Sequence, residues 1–156
     1  MSSDAAADLQ RRIHAGIPLS RAMAYRITRL TDSAITVQAP LEPNVNVHGS
    51  GFAGSLYALG ILTAWGLCAH LIARAGLQAD LVVAEATIRY TAPVRTGICC
   101  SSALSDADAR DFLGSLAGHR RARLDLRVDI GDGPAAWIEA QMHARLVEHG
   151  AVTGAP

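Results

Sequence analysis

The clearest pattern in the chain is an alternation of apolar with charged or polar residues in its C-terminal third. Over 123–130 the apolar residues occupy the even positions, and after a turn at 131–133 the same alternation resumes over 136–146. A period of two places apolar side chains on one face of a strand and polar side chains on the other. The two runs therefore predict a long β-hairpin with one buried side and one solvent-facing side.

The segment 51–73 has a different pattern, because it contains no Asp, Glu, Lys or Arg and is rich in Leu, Ala and Ile. Its length and composition predict a helix that is apolar on all sides. Such a helix either spans a membrane or is enclosed by protein. Since the one-sided strands of the hairpin need an apolar partner, we expect a sheet to enclose this helix and expect no membrane association.

The rest of the chain is predicted to add short helices and strands around this core. Residues 4–14 predict an amphipathic helix that stops before the breaker at 16–18. Ser105-x-x-Asp108 is a capping box that predicts the start of a further helix. The remaining strand candidates are 23–30, 34–39, 81–94 and 96–104. We therefore predict an α+β fold with a long central apolar helix wrapped by a curved antiparallel sheet.

The length of 156 residues suits one domain. Neither an internal repeat nor a linker interrupts the pattern, so we assign 1–150 to a single domain. Residues 151–156 are small and unpatterned, and we interpret them as a flexible tail.

The composition limits the classes of partner. Lys plus Arg equals Asp plus Glu at 14 each, and arginines alternate with acids over 121–127. We interpret this as a mixed solvated surface that lacks the one-signed patch needed to bind nucleic acid, so any anionic ligand must be held locally.

The cysteines and the N-terminus indicate the compartment. Cys68, Cys99 and Cys100 form an odd set without CxxC spacing, which predicts neither a disulfide framework nor a metal site. The N-terminal residues lack the apolar core of a signal peptide, so we expect a cytoplasmic protein.

Two motifs resemble the hotdog-fold thioesterases. They are Thr91-Ala-Pro-Val-Arg-Thr-Gly97 and the helix-start sequence Asn46-Val-His-Gly-Ser-Gly-Phe-Ala-Gly-Ser-Leu-Tyr57. The chain is similar to the YiiD C-terminal-domain family, in which Asn, Gly-Ser or Gly-Thr, and Phe-x-Gly-Ser precede a helix containing Trp-Gly, here Trp65-Gly66. The likeness covers about 23–147. It implies a hotdog fold, hydrolysis of acyl thioesters of coenzyme A or acyl carrier protein, no cofactor, and a homodimer or higher homo-oligomer.

The chain departs from the phenylacetyl-CoA-type hotdog enzymes at two positions. Those enzymes read Asn-x-x-Gly-x-x-His-Gly-Gly and carry an acidic catalytic residue later in the helix. Alignment on Asn46, Gly49 and Gly54 puts Phe52 at the histidine position and Ile61 at the acid position. The resemblance to these enzymes therefore supports a shared fold more directly than a shared catalytic mechanism. A non-catalytic acyl-binding or acyl-CoA-binding module and a hotdog dehydratase stay open as alternatives.

Catalytic candidates cluster where the helix begins. A helix N-terminus presents free N–H groups, so the amides of Ala53 and Gly54 are candidates for stabilising an oxyanion. The Asn46 amide is a candidate to orient an attacking water or to hydrogen-bond the substrate carbonyl. The alternative is that Asn46 forms a loop turn or caps the helix. His48 is the local candidate for a general base, and its alternative is a solvated loop histidine.

Two further catalytic candidates depend on where their side chains point. The Ser55 hydroxyl is expected in the first helical turn, where it either contacts a bound acyl group or bonds to the backbone. Because no Gly-x-Ser-x-Gly elbow surrounds Ser55, we do not expect it to act as a nucleophile. Glu85 interrupts an apolar strand and is a second candidate base if buried. Its alternative is a solvent-facing position in phase with Thr87 and Arg89.

The remaining candidates are expected to contact the substrate: Gly49, Ser50, Phe52, Tyr57, Arg89 and Arg95. The two arginines bracket a strand end, where they either pair with a pantetheine-linked phosphate or are simply solvated.

Overall fold

The computed structural model describes residues 2–147. The helices are α1 (Ser2–Gly16), α2 (Leu19–Ala22), α3 (Ala53–Arg74) and α4 (Asp106–His119), with a 3-10 helix at Glu42–Asn44. The strands are β1 (Arg26–Leu30), β2 (Ala34–Ala39), β3 (Ala79–Tyr90), β4 (Ile98–Ala103), β5 (Arg121–Ile130) and β6 (Ala136–Leu146). The predicted tail, 151–156, and the last residues of the predicted domain lie outside the described residues.

The strands form one six-stranded antiparallel sheet in the order β1-β2-β4-β5-β6-β3. The predicted hairpin is confirmed, because β5 and β6 pair from Arg121 opposite Arg145 to Ile130 opposite Ala136. The even-numbered residues of β5 are buried and the odd-numbered ones are exposed or half-buried. The alternation in the sequence therefore became one apolar sheet face and one polar sheet face.

Helix α3 lies against the apolar face of the sheet and makes contacts with β2, β3, β4, β5 and β6. It is long and apolar enough to cross a membrane, but 67% of its most apolar window is buried inside the protein. Gly60 faces the sheet so closely that a Cβ atom would overlap the Cδ1 atom of Ile138. The sheet thus supplies the apolar surroundings that the composition of this helix requires.

Strand β3 forms one edge of the sheet, since among residues 2–147 it pairs only with β6. A bulge between Val83 and Glu85 inserts one extra residue, which puts both Val82 and Glu85 on the polar face. The residues of β3 that face the interior are only partly buried: Leu81, Val83, Ala86 and Ile88. An edge with half-covered apolar side chains needs a partner.

Helix α4 fills a gap in the sheet. Strand β4 pairs with β5 only at Cys100 opposite Ile130 and at Ser101 opposite Asp129. Helix α4 contacts β5, and its residue Phe112 is buried. The predicted cap is confirmed, because Ser105 Oγ accepts the Asp108 N–H at 3.0 Å.

The strand boundaries differ from the predictions by one or two residues at several ends, and by three or more residues at two of them. Strand β3 stops at Tyr90 instead of continuing to 94, because the loop at 91–97 contains Pro93, which lacks an N–H for a sheet ladder. Strand β1 begins at Arg26 instead of 23, because Ala24 has a left-handed backbone with φ of 54°.

Candidate active site at the start of the central helix

The loop that leads into α3 is anchored by Asn44, whose side chain is buried. Asn44 Nδ2 donates to the carbonyl oxygens of Met23 at 2.9 Å and Pro40 at 2.8 Å. The Asn44 carbonyl accepts the Phe52 N–H at 2.7 Å. Sequence reasoning missed this anchor, because nothing in the turn-prone stretch around Asn46 marks one asparagine as buried and another as exposed.

Asn46 closes the next part of the loop on itself. Its Oδ1 accepts the N–H groups of His48 at 2.9 Å and Ser50 at 3.1 Å. Its Nδ2 donates to Ser50 Oγ at 3.0 Å and to the Gly51 carbonyl at 3.4 Å. The side chain is therefore fully hydrogen-bonded within the loop, as a turn-forming residue would be. Its role toward water or substrate stays a prediction.

The two sequence motifs meet at Gly51. The Gly51 N–H donates to the Val94 carbonyl at 2.7 Å, and a Cβ on Gly51 would lie 3.3 Å from Val94 Cβ. Arg95, the next residue, is exposed beside this junction. Gly49 has φ of +75°, a conformation that lets the chain turn between Asn46 and Ser50. The loop at 91–97 thus supports the entry into α3.

The first turn of α3 presents backbone N–H groups without a side-chain cap. Phe52 is the N-cap residue and has an extended backbone, and the first helical bond runs from the Leu56 N–H to the Phe52 carbonyl at 2.9 Å. The N–H groups of Ala53, Gly54 and Ser55 precede that bond, so they lie at the positive end of the helix dipole. Ala53 and Gly54 are exposed, as an oxyanion site requires.

The aromatic ring of Phe52 lies over Gly54. A Cβ atom on Gly54 would overlap this ring, which is itself half exposed. The absence of a side chain at Gly54 therefore accommodates Phe52, whereas Gly60 is a glycine that lets α3 pack closely against the sheet. Ile61, aligned with the missing helical acid, is partly buried against the core.

Tyr90 ties the end of β3 to the start of α3, since its hydroxyl donates to the Ala53 carbonyl at 2.9 Å. Burial, and secondly the electrostatic interaction with the Tyr57 side chain, raise the pKa of Tyr90 above its ordinary value. Phe52, Tyr57 and Tyr90 are all exposed by a third or more. Tyr90 was also missed by sequence reasoning, although an aromatic residue at the end of a strand before a proline loop was a usable signal.

Glu85 and Arg89 are not brought to this site within one chain. Glu85 lies opposite Gln141 and Arg89 opposite Trp137, on the polar sheet face that points away from α3. The solvent-facing alternative for Glu85, in phase with Thr87, is thus what the structure shows. Its role as a base stays a prediction.

The two buried cysteines are not activated as nucleophiles, and the candidates Ser55 and His48 lie at the helix start and in the loop before it. Burial raises the pKa of the Cys68 and Cys100 thiols to about 12, so both stay protonated at neutral pH. Ser55 is half-buried in the first turn of α3, and His48 is exposed in the loop. Within residues 2–147, no three His, Cys, Asp or Glu side chains are grouped so that they would hold a metal ion.

A protein-family model described as "Putative thioesterase (yiiD_Cterm)" matches residues 6–142. The crystal structure of a thioesterase-family protein from Shewanella oneidensis is similar at 30% identity and a TM-score of 0.84, with 92% of this chain and 99% of that chain covered. A Chlorobaculum tepidum protein of unknown function matches at 23% identity and a TM-score of 0.86, covering 90% and 93%. The Escherichia coli PaaI protein of the phenylacetic acid degradation operon shares the fold at 16% identity and a TM-score of 0.65, covering 94% and 97%.

Proposed function

We propose, since the chain belongs to the YiiD C-terminal family of thioesterases, that it hydrolyses acyl thioesters carried by coenzyme A or acyl carrier protein in the cytoplasm. The observation that carries this proposal is the start of α3. There Ala53 and Gly54, whose N–H groups open the helix, are exposed residues beside the exposed aromatic side chains of Phe52 and Tyr57. An acyl group packed on these rings would direct its carbonyl oxygen toward the amides.

The proposed reaction uses water as the nucleophile. A base removes a proton from water, and the oxygen attacks the thioester carbonyl carbon while the developing oxyanion accepts hydrogen bonds from Ala53 and Gly54. The C–S bond then breaks, and the leaving thiolate takes the proton back. The products are a carboxylic acid and a free thiol. His48 is the base proposed within one chain, because it shares the Asn46 loop with the helix start.

A non-catalytic acyl-binding module is the second candidate. Phe52 and Ile61 stand where related enzymes carry a histidine and an acid, and both pack as apolar side chains. A hotdog dehydratase needs a histidine and an acid to move protons. Because Phe52 and Ile61 occupy those two positions, dehydratase activity is less favoured than binding. The aromatic surface at the helix start would serve binding without hydrolysis.

Hydrolysis and binding measured on the same samples separate the two candidates. We expect thiol release from a panel of short-chain, long-chain and aromatic acyl-CoA thioesters, with a marked loss in His48→Ala and little change in Ser55→Ala. Glu85→Gln tests the other predicted base, which lies on the sheet face turned away from α3. Binding by calorimetry without thiol release from any thioester would establish the binding module instead.

We further propose that the active unit is a homodimer paired through β3. The half-covered apolar side chains of this edge and the 56% exposed Val82 leave a surface that a second copy would cover. A mass of about twice 16.4 kDa is expected from light scattering coupled to size-exclusion chromatography. A strictly monomeric and fully active species would contradict this proposal.

A further inference from the structure

Two side-chain hydrogen bonds join α3 to the edge strand β3. One is the bond from the Tyr90 hydroxyl to the Ala53 carbonyl at the start of the helix, and the other runs from Trp65 Nε1 to the Leu81 carbonyl at 3.0 Å. The space between them is the α3–β3 furrow, whose side chains are only partly buried: Ala58 and Ile61 of α3, and Val83, Ala86 and Ile88 of β3. The furrow leads away from the proposed oxyanion site along one side of the helix.

The lining of the furrow suits a hydrocarbon chain. Helix α3 carries no Asp, Glu, Lys or Arg over 53–73. On β3, Val83 and Ala86 both face α3, while the bulge between them leaves Glu85 on the polar face. Without the bulge, the period of two would turn Glu85 to the same side as Val83. The bulge therefore keeps a carboxylate out of the furrow.

Trp65 closes the far end of the furrow. The Gln78 carbonyl accepts the Val147 N–H from the β6 side, so the alternation of an antiparallel ladder turns the Leu81 carbonyl to the outer edge of β3. The Trp65 indole reaches this carbonyl by crossing from α3 to the strand edge. It thus forms a wall across the furrow.

A second apolar cleft lies behind this wall. Its volume is about 490 Å³, and Trp65 and Leu81 line it together. Its further apolar side chains include Ala69, Ile72, Ala73, Leu77 and Val147. Because Ala58, Ile61, Trp65 and Ala69 follow one another at helical spacing, the furrow and the cleft lie along the same face of α3. The indole is what separates them.

We propose that the furrow holds the acyl chain of the substrate and that Trp65 sets the longest chain accepted. This inference rests on the proposed thioesterase function and names its acyl class. Trp65 lies about 16 Å along the helix from Gly54 at about 1.5 Å per residue. A helical side chain leans back over the preceding turn, which leaves about 11 Å of furrow. An extended hydrocarbon advances about 1.25 Å per carbon, so the furrow accommodates a straight, medium-length chain of roughly eight or nine carbons.

Chain-length profiles of two tryptophan variants test the wall. The kcat/KM is measured for straight-chain acyl-CoA thioesters from butanoyl to hexadecanoyl in the wild type, Trp65→Ala and Trp137→Ala. Trp137 is the matched control, since it is the other tryptophan of the chain and lies against Arg127 on the polar sheet face. We expect the wild-type kcat/KM to peak near octanoyl and to fall beyond decanoyl. Trp65→Ala should raise kcat/KM for tetradecanoyl and hexadecanoyl about 10-fold or more.

The control should keep the wild-type profile. A folded Trp65→Ala protein with that same profile overturns the wall, while thiol release by both proteins would leave the thioesterase proposal standing. A Trp65→Ala protein whose oligomeric mass changes while its profile does not would assign the indole to a subunit contact, which also overturns the inference.

Two further variants keep the test valid if Trp65→Ala fails to fold. Trp65→Leu retains apolar bulk and should extend the accepted chain by fewer carbons. Ala58→Leu fills the furrow one turn after Gly54 and should confine activity to butanoyl and hexanoyl thioesters. Octanoyl hydrolysis at the wild-type rate by Ala58→Leu would show that the chain does not lie in the furrow.

Direct binding separates this inference from hydrolysis. S-alkyl thioethers of coenzyme A lack the carbonyl group and cannot be hydrolysed. By calorimetry, each added methylene should raise the wild-type affinity by up to about 4-fold as far as octyl, with no further gain from decyl to hexadecyl. Trp65→Ala should continue to gain affinity to hexadecyl. The same chain-length dependence in both proteins overturns the inference, whether or not the protein hydrolyses thioesters.

Tryptophan fluorescence locates the end of the bound chain. In Trp137→Phe, Trp65 is the sole tryptophan. S-octyl-coenzyme A should shift its emission to shorter wavelength, because the chain end displaces water from the half-exposed indole, whereas S-butyl-coenzyme A should leave the emission unchanged. Equal shifts with both thioethers, or saturable binding of the octyl thioether without a shift, would place the chain elsewhere and overturn the inference.

Discussion

Asn46→Ala is expected to lower the kcat of thioester hydrolysis by about 10²–10³, the loss typical of a disturbed oxyanion site. The Asn46 side chain holds the N–H groups of His48 and Ser50 and donates to Ser50 Oγ and the Gly51 carbonyl. Its removal frees the loop that immediately precedes α3. The amides at the start of the helix and the nearby His48 would then lose their shared alignment, and small misplacements of reacting groups cost large factors in rate.

The effect on stability should be far smaller. Loss of a side chain that caps loop N–H groups costs about 1 kcal/mol, so the variant should melt only slightly below the wild type. Asn46→Asp keeps the acceptor toward His48 and Ser50 but loses both donors, and should restore the stability better than the rate. Ser55→Ala is the control in the adjacent turn. Melting temperature and kcat are measured together, and normal turnover by folded Asn46→Ala would show that this loop plays no part in the reaction.

Gly60→Val is expected to reduce the free energy of unfolding by about 3 kcal/mol, because it inserts a branched side chain where helix and sheet touch. A Cβ at this position would overlap Ile138 Cδ1 and lie 3.1 Å from Ile130 Cδ1. Both isoleucines are fully buried in the core. The melting temperature should fall by roughly 10 °C for a chain of this size.

Gly114→Ala provides the matched control within a helix. A Cβ on Gly114 would meet no atom within 4 Å, so this substitution should raise stability by about 0.5–1 kcal/mol through helix propensity alone. Thermal or denaturant unfolding of the two variants compares the stability lost through overpacking at Gly60 with the stability gained through helix propensity at Gly114. A Gly60→Val protein as stable as the wild type would show that the sheet can move away from α3.

The periodicities predicted the fold well because each one follows from burial. The alternation over 123–146 required one apolar sheet face, and the uncharged run at 51–73 required protein around most of its surface. Strand β2 has the predicted bounds, Ala34–Ala39. Errors arose at 23–25 and 91–94, where turn geometry ended pairing in stretches whose side chains suit a strand.

The candidate site was predictable only in part. The helix start from Asn46 to Tyr57 is contiguous in the chain, so its residues had to lie together. Tyr90 joins it through a hydrogen bond to Ala53 across the fold. No local pattern encodes a contact between residues so far apart in the chain.

The sequence by itself determined an α+β domain with an apolar central helix, and the motif at the start of that helix, because periodicity and chain contiguity are local properties. Tertiary structure alone decided which face of the sheet each charge occupies. It turned Glu85 away from α3 through a bulge, and it placed Arg145 opposite Arg121 from a different strand. Strand register sets these positions, and register depends on pairing between distant segments rather than on the residues of either segment alone.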